Sequence, residues 1–154
     1  MTVAVGKKVP GFTSAVTGGE DWSLGEAAGE KVVLYFYPKD MTSGCTLESQ
    51  QFRDLHAQFK RAKVRVFGVS RDSIKSHDKF RDKEQLPFHL LSDPEEKLCK
   101  LFDVIKEKSL YGRKYLGIER STFLLDGKGV LRQQWRKVKV PGHAEEVLEA
   151  AKSL

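Results

Sequence analysis

Only two cysteines, Cys45 and Cys99, occur in 154 residues, too few for a disulfide scaffold. That scarcity points to a reducing cytosol and makes reactivity a better reason than crosslinking for at least one of them. No apolar run approaches the length of a membrane-spanning helix, and the N-terminal stretch MTVAVGKKVPGF lacks the apolar segment of a secretory signal. The expectation is a cytoplasmic protein with no membrane partner. The four histidines, His56, His77, His89 and His143, show no ligand spacing, so no metal and no other cofactor is expected. Repeats, low-complexity segments and interdomain linkers are also lacking, and the length suits one domain over residues 1–154.

Charge is not lacking. Lys and Arg number 27 against 21 Asp and Glu, a net charge of +6. The basic residues are spread along the chain, with one denser cluster from Arg132 to Lys139 in which Trp135 and Val138 alternate with charges. It reads as a strand end with a solvated face. Nucleic-acid binding would need more than one basic patch with an aromatic, and none is expected.

The most informative stretch runs from Val32 to Phe59. Val32 to Tyr37 is an unbroken β-branched, leucine and aromatic run that Pro38 stops, the pattern of a strand buried on both faces. From Thr42 or Ser43 onward Phe52, Leu55 and Phe59 recur at helical spacing. Cys45 therefore falls in or near the first turn of a helix. There the free N–H groups and the positive end of the helix dipole favour an anion, so a thiolate.

The remaining elements follow in order. Phe12 to Val16 and Trp22 to Leu24 suggest a small edge hairpin, and Val64 to Ser70 a second buried strand, parallel to the first. Ser73 to Gln85 reads as a polar helix and His89 to Leu91 as a short strand. Next comes a helix capped by Ser92 or Asp93, with Pro94 in its first position and Leu98, Leu101 and Phe102 inward. Lys106 to Gly117 reads as a loop. Ser121 to Leu125 and Val130 to Trp135 flank a strong turn signal, Asp126-Gly127-Lys128-Gly129, and Ala144 to Leu154 is a terminal helix. This order describes an α/β, thioredoxin-like fold with an N-terminal β-hairpin extension.

Disulfide exchange of the thioredoxin type usually wants a C-x-x-C dithiol, but the residue three after Cys45 is Glu48. The local pattern is instead Pro38-x-x-x-Thr42-x-x-Cys45. A hydroxyl at Thr42 can reach the same small pocket as the sulfur, and Pro38, stiff and without an N–H, can wall it. PKDMTSGCTLES is similar to the active-site loop of peroxiredoxins, whose pattern is P-x-x-x-T/S-x-x-C. The stretches GVSRDS, PFHLLSD and YGRKYLGIERSTFLLD resemble the subfamily of the bacterioferritin comigratory protein, or peroxiredoxin Q, and the resemblance runs from about Val5 to the end.

The resemblance implies a thiol peroxidase in which Cys45 is the peroxidatic cysteine, Thr42 its hydroxyl partner, Pro38 the shielding proline and Arg120 the active-site arginine. Its substrates would be hydrogen peroxide and small organic hydroperoxides, and the subfamily leans toward monomers. Ionising a free thiol more fully multiplies the thiolate on the order of thirtyfold at neutral pH, while the lower pKa blunts its intrinsic nucleophilicity. The larger effect should come from donors aimed at the peroxide oxygens as charge builds. Thr42, the N–H groups of Gly44 and Cys45, and Arg120 suit that task, while Glu48 either orients them or simply favours the helix N-terminus.

Departures from the family bear on how the cycle closes. Many members have a second cysteine five residues after the first, where this chain has Gln50; others carry it in the next helix, at the position of Arg81. Cys99 remains, and its register beside Leu98 reads more naturally as core than as a resolving thiol. The expectation is a one-cysteine peroxidase whose sulfenic acid meets an external thiol: thioredoxin, glutaredoxin or glutathione. The rival reading is a thioredoxin-like thiol-exchange or redox-sensing binding protein without peroxidase turnover. Ser43 stands where a proline commonly precedes Gly-Cys, and Met41 where a polar residue is frequent, and both loosen the loop.

Overall fold

A computed structural model describes residues 2–154. In chain order, the strands are β1 (Thr13–Val16), β2 (Glu20–Ser23), β3 (Lys31–Phe36), β4 (Val64–Ser70), β5 (His89–Ser92), β6 (Ile105–Leu110), β7 (Arg113–Ile118), β8 (Ser121–Leu125) and β9 (Leu131–Trp135). The helices are α1 (Ser43–Asp54), α2 (His56–Arg61), α3 (Ile74–Lys83), α4 (Lys97–Leu101) and α5 (His143–Lys152). Seven strands form one sheet in the order β2-β1-β5-β4-β3-β8-β9. β3 pairs in parallel with β4, as the β-α-β reading requires, and antiparallel with β8.

The apolar run of β3 is explained by a two-faced sheet. Val33, Tyr35 and Tyr37 enter one core with Cys45, Phe52, Phe59 and the apolar stripe of α5. Their alternates Val32, Leu34 and Phe36 enter the other, with Trp22, Cys99, Phe102 and Phe123. With a side-chain period of two, every residue of such a strand must be apolar. α1 is docked by the ring of Phe52, which stacks on Tyr35 with centroids 4.6 Å apart. Tyr35 lies across Gly68 on β4, where any Cβ would come within 2.7 Å of its hydroxyl oxygen. That passage lets the hydroxyl reach Ser49 Oγ at 2.8 Å, joining the active helix to the sheet by a buried polar bond.

Several boundaries differ from the sequence expectations. The helix expected to run through Phe59 breaks at Leu55, and α2 resumes at His56, with the rings of Phe52 and Phe59 still 5.8 Å apart. Residues Lys106 to Gly117 are not a loop but the β6–β7 hairpin, which forms its own two-stranded sheet. Its strands carry the exposed residues Leu110, Lys114, Tyr115 and Leu116 and show no apolar alternation. The available signal was the turn itself: Tyr111 and Gly112 both have positive φ, 50° and 77°, as a two-residue primed turn demands. Pro94 does not open a helix. Glu96 takes φ 64°, and α4 starts only at Lys97. Asp93 still caps it, accepting the N–H groups of Leu98 at 3.1 Å and Cys99 at 2.8 Å.

The basic cluster is partly consumed internally. Arg132 pairs with Asp126 at 3.2 Å. Arg136 donates to the Asp103 and Phe102 carbonyls and lies 5.2 Å from the Phe123 ring centroid. No helix among the described residues is long and apolar enough to cross a membrane.

Candidate active site

The site forms where β3 ends and α1 begins. Pro38 closes the strand, Met41 turns the chain through φ 65°, and Thr42 takes an extended N-cap conformation. The first bond of the α1 ladder runs from the Thr46 N–H to the Thr42 carbonyl at 2.9 Å, so the N–H groups of Ser43, Gly44 and Cys45 precede it. Cys45, Glu48, Ser49 and Phe52 are the buried residues of α1. Their spacing makes one stripe against the sheet.

Two of these residues meet the same guanidinium. Arg120, between β7 and β8, donates from Nη1 to Glu48 Oε1 at 2.6 Å and from Nη2 to Cys45 Sγ at 3.3 Å. The fork thus bridges carboxylate and sulfur across 75 residues of sequence. Gly44 provides clearance, since a Cβ there would lie 3.3 Å from Arg120 Nη2. The sulfur is almost wholly covered, at 1% exposure for Cys45, while the Arg120 side chain keeps 17%.

Electrostatics at this pair are unequal. Burial pushes the Glu48 carboxyl up to about 7, against the opposing pull of Arg120. Its second oxygen, Oε2, is buried without a hydrogen-bond partner. For Arg120 burial disfavours the charge, but Glu48 and Cys45 more than offset it and raise the pKa. The cation therefore persists beside the sulfur at any physiological pH.

The other expected residues fall as follows. Thr42 is exposed, and its hydroxyl donates to the Lys39 carbonyl at 2.9 Å rather than capping α1. Pro38 is half-buried at the strand end. Glu48, expected either to orient the donors or to favour the helix N-terminus, is buried and pairs with Arg120, the same residue that contacts the sulfur. Cys99 is fully buried in the core on the opposite face of the sheet from Cys45. Burial and the Asp93 carboxylate raise its pKa strongly. The two positions where relatives can carry a partner thiol hold hydrogen bonds instead, Gln50 to Glu84 at 2.8 Å and Arg81 to the Phe88 carbonyl at 2.9 Å.

Sequence reasoning missed a buried polar group behind the loop. Asp40, Asp72 and His77 bring ligand-type atoms within 4.8 Å of one another. Protein donors already occupy the two carboxylates: Tyr37 bonds Asp40, and Ser70 bonds Asp72 at 2.6 Å. The histidine lies 37 residues from Asp40, and no local pattern signals that meeting.

A thioredoxin-like sheet that seats a lone cysteine in the first turn of a helix, under an arginine tied to a glutamate, defines a class of thiol-dependent redox enzymes. The chain belongs to the AhpC/TSA family, whose description matches residues 5–134, and within it to the peroxiredoxin Q or bacterioferritin comigratory protein subfamily. It is 48% identical over 154 residues to peroxiredoxin Bcp of Bacillus subtilis, covering all of this chain and 98% of that one. It is 49% identical to the putative peroxiredoxin bcp of Coxiella burnetii over 148 residues, 96% of this chain and 98% of the other. Among solved structures, Xanthomonas campestris peroxiredoxin Q superposes with a TM-score of 0.88 at 52% identity, covering 92% of this chain and 90% of that one. A PrxQ mutant from Xylella fastidiosa gives 0.94 at 43% identity, over 99% and 98%. The activity that follows is that of a thiol-dependent peroxidase.

Proposed function

We propose that the chain reduces hydrogen peroxide and small organic hydroperoxides through a sulfenic acid on Cys45, and that an external thiol completes the cycle. The Cys45 sulfur attacks one peroxide oxygen and the O–O bond breaks. The second oxygen leaves with the bonding pair and takes a proton to become water or an alcohol, while Cys45 becomes the sulfenic acid. A thiol then attacks that sulfur, releasing water and forming a mixed disulfide. A second thiol frees Cys45.

The observation that carries this reading is the Arg120 bridge between Glu48 and the Cys45 sulfur. It supplies a fixed cation where negative charge passes from sulfur to the departing oxygen. Gly44 and Cys45 add N–H donors upstream of the helical ladder, Thr42 a hydroxyl and Pro38 a wall. Glu48 is a positioning residue, acting through Arg120. The Xanthomonas campestris bacterioferritin comigratory protein is described as having alkyl peroxide reduction activity, which supports organic hydroperoxides as substrates here. Thioredoxin, glutaredoxin or glutathione is the reductant class, the cytoplasm the location and the monomer the working form.

The placement of Cys99 supports the external thiol. It lies across the sheet from Cys45, its thiol is held protonated, and thiol exchange needs a thiolate. Mass spectrometry of the protein after one equivalent of peroxide, with a sulfenic-acid trap present, should find the adduct on Cys45. An intramolecular 45–99 disulfide instead would refute the one-cysteine cycle. Peroxide consumption with dithiothreitol should vanish in Cys45→Ser and persist in Cys99→Ser; the reverse pattern would refute the assignment of the nucleophile.

A further inference from the structure

The turn that carries Pro38 and Thr42 is anchored by side chains that take no part in the chemistry above. Asp40 is its centre. Oδ1 accepts the Tyr37 hydroxyl at 2.5 Å, and Oδ2 faces the Ser76 hydroxyl at 2.8 Å and His77 Nδ1 at 2.7 Å. The Asp40 N–H donates to Asp72 Oδ2 at 2.8 Å, and Asp72 is itself held by Ser70 Oγ at the end of β4. His77 Nε2 contacts the Leu91 carbonyl at 2.9 Å on β5. The Asp40 and His77 side chains are 2% and 0% exposed. One aspartate thus ties the active-site turn to β3, β4, β5 and α3.

The protons can be counted from the partners. A carbonyl only accepts, so His77 Nε2 carries a hydrogen. Nδ1 faces a carboxylate oxygen, and that contact also needs a proton, borne by either partner. Asp40 and His77 therefore share one proton, and both carboxylate oxygens and the N–H of the aspartate are engaged. Burial keeps the Tyr37 phenol protonated, so its bond to Asp40 is always available. Next in sequence, Met41 is held at φ 65°, a conformation that persists in a non-glycine residue only when its surroundings over-determine it.

We infer that Asp40, with His77 as its proton-sharing partner, is a positioning residue for the peroxidase reaction: it sets the Pro38–Thr42 turn and so aims the peroxide donors at the Cys45 sulfur. The inference rests on the proposed role of that turn, yet it is separable from it. A displacement near 1 Å in a reacting constellation can lower rate on the order of a hundredfold without unfolding anything.

The test compares two reactions of one sulfur. Oxidation by hydrogen peroxide needs the aimed donors, whereas alkylation by iodoacetamide needs only an accessible thiolate. Asp40→Ala should slow oxidation tenfold or more while alkylation stays within about twofold. Asp40→Asn can keep the Tyr37 bond and donate its amide N–H to neutral His77. It should restore oxidation to within roughly threefold of the parent, which a simple loss of packing would not allow. Tyr37→Phe, a milder change that preserves the core, should move the same ratio in the same direction should Asp40→Ala fail to fold. Equal losses in both reactions, no loss in either, or an Asn variant as slow as the Ala variant would overturn the inference. Failure of the underlying peroxidase reading would show separately, as a parent protein whose Cys45 is alkylated but not oxidised.

Discussion

Replacing Arg120 by lysine is expected to slow oxidation of Cys45 by hydrogen peroxide on the order of a hundredfold, the usual loss when one preorganised donor at a developing anion is removed. The charge is kept, so a simple electrostatic account would forecast a small effect. Geometry forecasts a large one. Arg120 reaches Glu48 at 2.6 Å and Cys45 at 3.3 Å with two nitrogens of one rigid plane, and a single ammonium on a flexible stem cannot hold both places at once. The lysine will be drawn to the buried carboxylate, which otherwise stands uncompensated, and the sulfur loses its donor. Stopped-flow measurement of Cys45 oxidation gives the rate. Alkylation by iodoacetamide, which has no oxygen leaving group to stabilise, should fall far less. A lysine variant that oxidises within about threefold of the parent would remove Arg120 from the chemistry.

Glu48 should imprint itself on stability. Its carboxyl is raised from 4.5 to about 7 by burial, with Arg120 opposing. Below about pH 4.5 it is protonated in both the folded and unfolded chains and has no pH effect. As pH rises toward 7 the unfolded chain releases this proton while the native protein retains it. The native state binds more protons in that window, so stability falls with rising pH, by up to about 3 kcal/mol in total. His143 acts with the opposite sign. Its pKa is lowered to about 4, mainly by burial and against the pull of Glu146, so it withdraws stability as pH falls. That contribution is common to parent and variant and cancels in the comparison. Urea unfolding of the parent and of Glu48→Gln, at about pH 5 and about pH 8, should show the variant gaining on the parent by roughly 2 to 3 kcal/mol. A difference that stays flat with pH would mean that Glu48 is ionised throughout, held by Arg120 alone.

The sequence by itself determined the parts of this protein that depend on local pattern. An unbroken apolar strand, a proline stop and a helical stripe place Cys45 in a first helical turn, because side-chain periodicity and the free N–H groups of a helix start are properties of neighbouring residues. The Pro38–Thr42–Cys45 spacing, the Asp126–Gly129 turn and the β-α-β order belong to the same class. Patterns that depend on the backbone alone were less legible. The β6–β7 hairpin meets the core only at its base, through Ile105 and Ile118, so most of its length shows no alternation, and α4 begins late because Glu96 takes a left-handed conformation that its identity does not demand.

Tertiary structure decided everything that joins distant positions. It brings Arg120 to both Glu48 and the Cys45 sulfur, sets Cys99 on the far side of the sheet, and gathers Tyr37, Asp40, Asp72, Ser76 and His77 behind the catalytic turn. The reason is physical. A strand shows its side chains to two different cores, and which remote residue fills each space is fixed only when the sheet order and the crossing of the helices are fixed. A charge read along the chain is a solvated charge. Folding is what buries Glu48, supplies its guanidinium partner and turns a cysteine at a helix start into a site with a direction.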